Sequence, residues 1–190
     1  MHQVFHWINE PATWSEDEGV LSVVTDAQTD FWRETWYGFE RFSGHIYATE
    51  AVADFTFQVR VRANFSTLYD QAGLILMQDA QSWLKAGIEY NDGAPAIGSV
   101  LTQGKSDWAT GVFPGDPGEF WLRLTRRGEA LRLQYSTDGR QWPLLRLCPF
   151  PRGTVKIGVM CCTPQRSGLR VNFHDIALLP PNEKDLHDLS

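Results

Sequence analysis

Between Leu68 and Gly93 the chain reads LYDQAGLILMQDAQSWLKAGIEYNDG. In an extended strand successive side chains point to opposite faces. Trp83, Lys85, Gly87 and Glu89 then share one face, and Leu84, Ala86, Ile88 and Tyr90 share the other. An apolar face suits a core. A ring, a cation and an anion on the opposite face suit a polar ligand, which the ring stacks on and the charged groups hydrogen-bond. Lys85 and Glu89 lie roughly 13 Å apart along a strand, too far to pair directly. Each needs a partner on a neighbouring strand, a ligand or water, and Gly87 leaves the backbone between them open to approach. The same pair suits an enzyme. Glu89 would be a general acid or base, with Lys85 setting its charge state or stabilising an anionic intermediate. The plain alternative is a solvated face with scattered charges.

Other stretches offer neighbours for that face. TDFWRETWYGF gathers Phe31, Trp32, Trp36, Tyr37 and Phe39 around Asp30 and Arg33. Aromatic loops at the rim of a sheet suit the apolar faces of sugar rings, and they equally suit plugging one end of a sandwich. In LTQGKSDWATG, Asp107 and Trp108 either form a turn or extend the rim. His45 opens a strand with no partner at fixed spacing, which is the usual pattern of a structural histidine. The predicted ligand-binding set is Asp30, Trp32, Gln71, Trp83, Asp107 and Trp108. The candidate catalytic set is Glu89, Lys85 and His45. Retaining glycosidases need two carboxylates about 5 Å apart. The strand supplies only Glu89, because Asp92 falls in a turn, so a second would come from Asp30, Asp70 or Asp107.

Known catalytic signatures such as G-x-S-x-G, the P-loop and H-E-x-x-H do not occur. The five His are dispersed without metal-ligand spacing and no D-x-D-x-D loop occurs, so no metal and no cofactor is expected. The net charge of -6 and the lack of a basic run argue against nucleic acid. No stretch reaches the roughly 20 apolar residues of a membrane helix, and the N-terminus lacks a secretory pattern. Cys148, Cys161 and Cys162 make an odd count, expected as reduced packing residues. Together these predict a cytoplasmic protein. Its oligomeric state is left open.

The elements that must position these residues are strands. Period-two alternation recurs, most clearly in DFTFQVRVRA, where Phe55, Phe57, Val59 and Val61 share a face. EFWLRLTRR, ALRLQY, TVKIGVMCC and LRVNFHDIALL repeat it. About ten short strands with no helical period predict an all-β sandwich or jelly roll. The Arg residues of RLTRRGEALR are expected on a wet hairpin face, and Asp79–Ser82 in at most one helical turn. One β-sandwich domain over 1–179 is expected, followed by a polar tail over 180–190 that frays or docks loosely.

The order of TDFWRETWYGF, GHIYATE, DFTFQVRV, the long central stretch, SDWA and STDGRQW resembles the domain-of-unknown-function family that includes the yeast regulation-of-enolase protein. The resemblance spans about Trp7 to Ile176, and its most distinctive part is D-Q-A-G-L…W-x-K-x-G-x-E-x-x-D-G. It implies the concanavalin A-like lectin/glucanase superfamily: a jelly-roll sandwich of two antiparallel sheets, one of them concave. The superfamily holds lectins, glucanases and interaction domains, so the fold alone does not choose a function. This chain lacks the E-x-D-x-E strand of laminarinase-like glucanases. The expected partner is a small carbohydrate or sugar derivative bound on the concave face. The alternatives are a sugar hydrolase or isomerase using Glu89 and Lys85, or a regulatory protein-interaction domain.

Overall fold

The computed structural model describes residues 3–190, and no helix occurs among them. Sixteen strands follow in chain order. They are β1 (His6–Ile8), β2 (Thr13–Asp17), β3 (Val20–Val24), β4 (Phe31–Arg33), β5 (Glu40–Phe42), β6 (His45–Ala51), β7 (Phe55–Ala63) and β8 (Gln71–Asp79). The rest are β9 (Ser82–Asn91), β10 (Ala94–Gln103), β11 (Lys105–Val112), β12 (Glu119–Arg127), β13 (Ala130–Ser136), β14 (Leu144–Pro149), β15 (Val155–Cys162) and β16 (Arg170–Leu179).

Fourteen of them form two seven-stranded antiparallel sheets. The first has the order β1-β6-β15-β8-β9-β10-β11, the second β14-β13-β12-β7-β16-β3-β2. Neighbours in both sheets come from distant parts of the chain, so the fold is a jelly-roll sandwich. Alternation places one face of each sheet inward. Leu74, Leu76, Leu84 and Ile88 of the first sheet share a core with Phe57, Val59, Phe120 and Leu122 of the second. Each such side chain contributes about 1.5–3 kcal/mol on burial.

The outer face of the first sheet carries a second, smaller core. The short hairpin β4–β5 lies over it and seals Phe31, Ile46, Ile75, Met77, Trp83 and Met160. Gly73 of β8 and Gly87 of β9 are register partners beside this patch. A Cβ on Gly87 would stand 2.0 Å from the Ala72 carbonyl oxygen, so the close approach of the two strands requires glycine.

Several local expectations are corrected. Asp79–Ser82 is the tight turn of the β8–β9 hairpin, with Asp79 Oδ1 accepting the Gln81 N–H at 2.8 Å. Ser106–Trp108 belongs to β11, and the chain reverses at Gly104, whose φ is +75°. The Arg side chains of the β12–β13 hairpin are not all wet. Arg126 and Arg132 are buried. Arg126 donates to the Gly153 and Pro151 carbonyls. Arg132 donates to the carbonyls of Lys184, Leu186 and Asp188, which holds the C-terminal tail against the second sheet. The three cysteines are free and buried. No helix among the described residues is long and apolar enough to cross a membrane.

Candidate functional site

Beside the second core, the outer face of the first sheet is left uncovered. The register there sets Gln71 opposite Glu89 and Ile75 opposite Lys85 on β8 and β9, with Val100 of β10 beside Lys85 and Trp108 of β11 beside Val100. Paired residues of antiparallel strands project to the same side. Of these, Gln71, Lys85, Glu89, Val100 and Trp108 line the floor and one flank of a hollow of about 210 Å³, while Ile75 is sealed in the second core.

The β4–β5 hairpin supplies the opposite wall. Asp30, Trp32, Tyr37, Phe39 and Arg41 line it. Trp32 is anchored by its indole N–H, which donates to the Thr35 carbonyl at 2.8 Å. Its ring meets Tyr37 edge-on at 5.6 Å and Trp108 edge-on at 6.3 Å between centroids. Tyr37 stacks on Phe39 at 5.4 Å. Two further loops close the rim. One brings Tyr69, the other Pro164 and Gln165. Tyr69 has φ +64°, a left-handed conformation that costs a non-glycine residue about 1–3 kcal/mol. Its N–H donates to the Tyr90 carbonyl at 2.7 Å, which holds the loop against β9.

Lys85 and Gln71 are the buried polar groups of the floor. Lys85 is 4% exposed, and its ammonium donates to Gln71 Oε1. The Phe31 ring lies 5.8 Å from Lys85 Nζ. Among the described residues no carboxylate comes within ion-pair distance of Lys85. Burial pushes the Glu89 carboxyl up to about 7, with Asp30 adding to the rise and Lys85 opposing it. Asp30 Oδ1 accepts the N–H of Phe31 at 2.8 Å. The Tyr69 hydroxyl is 3.2 Å from that of Tyr37, and this contact, with burial, raises the Tyr69 phenol to about 12. The hollow thus offers aromatic walls, a buried cation, an amide, and a carboxyl that holds its proton near neutrality.

Asp30, Trp32, Gln71, Lys85, Glu89 and Trp108 line this hollow. Trp83, His45 and Asp107 do not. Trp83 has the expected parity, but the β4–β5 hairpin lies on it. Its ring packs against Phe31 and Phe42 at 6.1 and 6.4 Å and is 0% exposed, so it belongs to the second core. His45 is buried between two backbone groups. Its Nδ1 donates to the Asn9 carbonyl at 2.6 Å and its Nε2 accepts the Asp26 N–H at 3.0 Å, a structural tie. Asp107 pairs in register with Leu101, on the face opposite Trp108, and its carboxylate meets Arg146 at 3.2 Å. Asp70 is consumed by Arg166, so Asp30 is the carboxylate that shares the hollow with Glu89.

Tyr69, Arg41, Val100, Pro164 and Gln165 were not singled out from the sequence. Tyr69 stands two positions before Gln71, and an Asp70 that caps its loop could have pointed to it. The loop of Pro164 and Gln165 reaches the hollow only through tertiary packing.

Residues 7–181 match the family model described as "Protein of unknown function (DUF1349)". The chain is 49% identical to Regulation of enolase protein 1 of Saccharomyces cerevisiae over 185 residues, 97% of this chain and 93% of that protein. A crystal structure of a functionally unknown protein from Saccharomyces cerevisiae is similar at 47% identity with TM-score 0.92, covering 94% of this chain and 97% of that one. At 16% identity, a GH43 protein of Bacillus licheniformis superposes with TM-score 0.71 over 93% of this chain and 36% of that one. The carbohydrate binding module CBM66 of Bacillus subtilis does so at 11% identity with TM-score 0.54, over 91% and 94%. At such identities these two likenesses speak for the sandwich fold alone. The match over nearly the whole chain places this protein in the DUF1349 family.

Proposed function

We propose that the hollow on the outer face of the first sheet binds a small carbohydrate or sugar derivative. One arrangement carries this reading: aromatic walls from Trp32, Tyr37, Phe39 and Trp108 stand over a floor bearing Gln71, Lys85 and Glu89. A sugar ring has apolar C–H faces and a belt of hydroxyls. Stacked rings take the first, and an amide, an ammonium and a carboxyl take the second. The volume of about 210 Å³ is below the roughly 300–1,000 Å³ of drug-sized sites, which fits one ring better than an extended chain. The superposable GH43 protein and carbohydrate binding module lend support at the level of fold. The test is a thermal-shift and calorimetric screen of monosaccharides and their derivatives against the wild-type chain and Trp108→Ala. Saturable binding that the variant weakens supports the reading. A screen without a single binder ends it.

A second reading is catalysis in the same hollow. Its specific observation is Glu89, a carboxyl held near 7 beside Asp30. Such a group can donate or accept a proton at neutral pH, as general acid–base work on a sugar requires. Release of product from a bound sugar, abolished by Glu89→Gln with binding retained, is its signature.

A further inference from the structure

We infer that the ligand of this hollow carries an anionic group, a carboxylate or phosphate on a sugar ring, held by Lys85 with help from Arg41. The inference rests on the carbohydrate reading above and sharpens it.

Lys85 is the reason. An ammonium has three donors. At 4% exposure, Lys85 finds one protein acceptor, the neutral amide oxygen of Gln71. Gln71 satisfies a donor and neutralises no charge. Buried charges in proteins are paired, because an isolated one carries a large desolvation cost. The groups that could pair with Lys85 do not. Glu89 is its neighbour along β9, but the two lie outside ion-pair range, and burial pushes the Glu89 carboxyl up to about 7 against the pull of Lys85. Asp30 turns a carboxylate oxygen toward the N–H of Phe31 at 2.8 Å. The counter-charge is therefore missing from the protein, and the open side of Lys85 is the hollow.

Arg41 stands at the rim of the same hollow. Its guanidinium carbon lies 4.5 Å over the centre of the Phe39 ring. Among the described residues it is in no ion pair, so its donors are available to an incoming oxyanion. Two cations thus serve one aromatic hollow on a chain whose net charge is -6. With Glu89 protonated, Lys85 and Arg41 outnumber Asp30 among the charged groups lining the hollow, which favours an anion there. A neutral sugar would stack equally well and leave Lys85 unpaired.

The test is calorimetric titration of the full chain, at low salt and slightly below neutral pH, with matched ligands. Glucose and galactose are the neutral arm, glucuronate and galacturonate the carboxylate arm, and glucose 6-phosphate and galactose 1-phosphate the phosphate arm. Inorganic phosphate and acetate control for the anion alone. The expected result is an acidic sugar binding at least about tenfold tighter than its neutral parent, the scale of one charge-assisted hydrogen bond. The preferred arm identifies the anion. Lys85→Met should remove most of that preference and Arg41→Gln part of it, and high salt should weaken it. Arg41 is exposed, so its variant keeps the test sound if Lys85→Met does not fold. Neutral sugars binding as tightly as their acids, or a preference untouched by both variants, overturns the anion and leaves the carbohydrate site standing. Inorganic phosphate binding as tightly as any sugar phosphate supports the anion and overturns the sugar. No binding in any arm overturns both.

Discussion

Asp70 and Arg166 form a two-point ion pair across the rim of the hollow. Arg166 Nε donates to Asp70 Oδ1 at 2.9 Å, and the second guanidinium nitrogen meets Oδ2. The Asp70 side chain is fully buried and also accepts the N–H groups of Ser66 and Thr67 at 3.0 and 3.1 Å. Asp70 lies between Tyr69 and Gln71, and Arg166 follows Gln165. The pair therefore locks two loops that face each other over the ligand space.

Removing the cation isolates a buried carboxylate. Arg166→Ala should cost about 3 kcal/mol, the lower end for a broken buried pair, because Arg166 is 29% exposed. Urea unfolding measures it. Ligand affinity should fall as well, through Tyr69 and Gln165. Unchanged stability would show that the pair is no more than a surface contact.

Glu89 sets a pH dependence of stability. Its carboxyl sits at about 7 in the folded chain against an ordinary value of 4.5. Between those values the folded state holds a proton that the unfolded state has released, so stability falls as pH rises through this window. Glu89→Gln removes that dependence and should stabilise the protein above pH 7 by up to about 3 kcal/mol, less to the extent that solvent reaches this mostly buried group. Denaturation midpoints across this range read it directly. Equal pH slopes for the two proteins contradict the burial of this carboxyl.

The same titration bears on the ligand. Ionised Glu89 adds a negative charge beside the anion position, so affinity for an acidic sugar should weaken as pH rises through about 7. Neutral sugars should show a smaller change. Calorimetry at several pH values separates the two, and Glu89→Gln should flatten the acidic-sugar profile.

The tryptophans divide by role. Trp83 is 0% exposed beneath the β4–β5 hairpin, and Trp83→Ala should cost about 3–5 kcal/mol, as large cavities do. Trp108 is partly exposed in the wall, and Trp108→Ala should weaken binding with a much smaller loss of stability. Paired denaturation and binding curves test the split. A Trp108 variant with full affinity removes that ring from the site.

These residues show what the sequence could carry. Alternation is a local signal, so β7, β9, β12, β13, β15 and β16 were legible, and with them the parity of Lys85 and Glu89. Three-residue strands such as β4 and β5 leave too few positions for a period to register, so the hairpin that roofs Trp83 was not. Parity tells which side of a sheet a residue faces and nothing about what lies on it. That is why Trp83 and Lys85, two positions apart, differ in fate: one is sealed by Phe31 and Phe42, the other opens beside the aromatic wall. His45 looked available because its partners, the Asn9 carbonyl and the Asp26 N–H, are backbone groups that no spacing rule reveals. Asp107 was drawn toward the rim by its neighbour Trp108, though adjacent strand residues face apart. The family likeness covered fold and membership, and the ligand space followed only from packing between segments distant in sequence.

Crystals soaked with glucuronate and, separately, glucose 6-phosphate show whether the hollow holds an acidic sugar against Lys85. The expected density is a sugar ring against the wall of Trp32, Tyr37, Phe39 and Trp108, with the anionic group against Lys85 Nζ. A hollow still empty at saturating ligand, or a sugar bound elsewhere on the sandwich, contradicts this reading of the site.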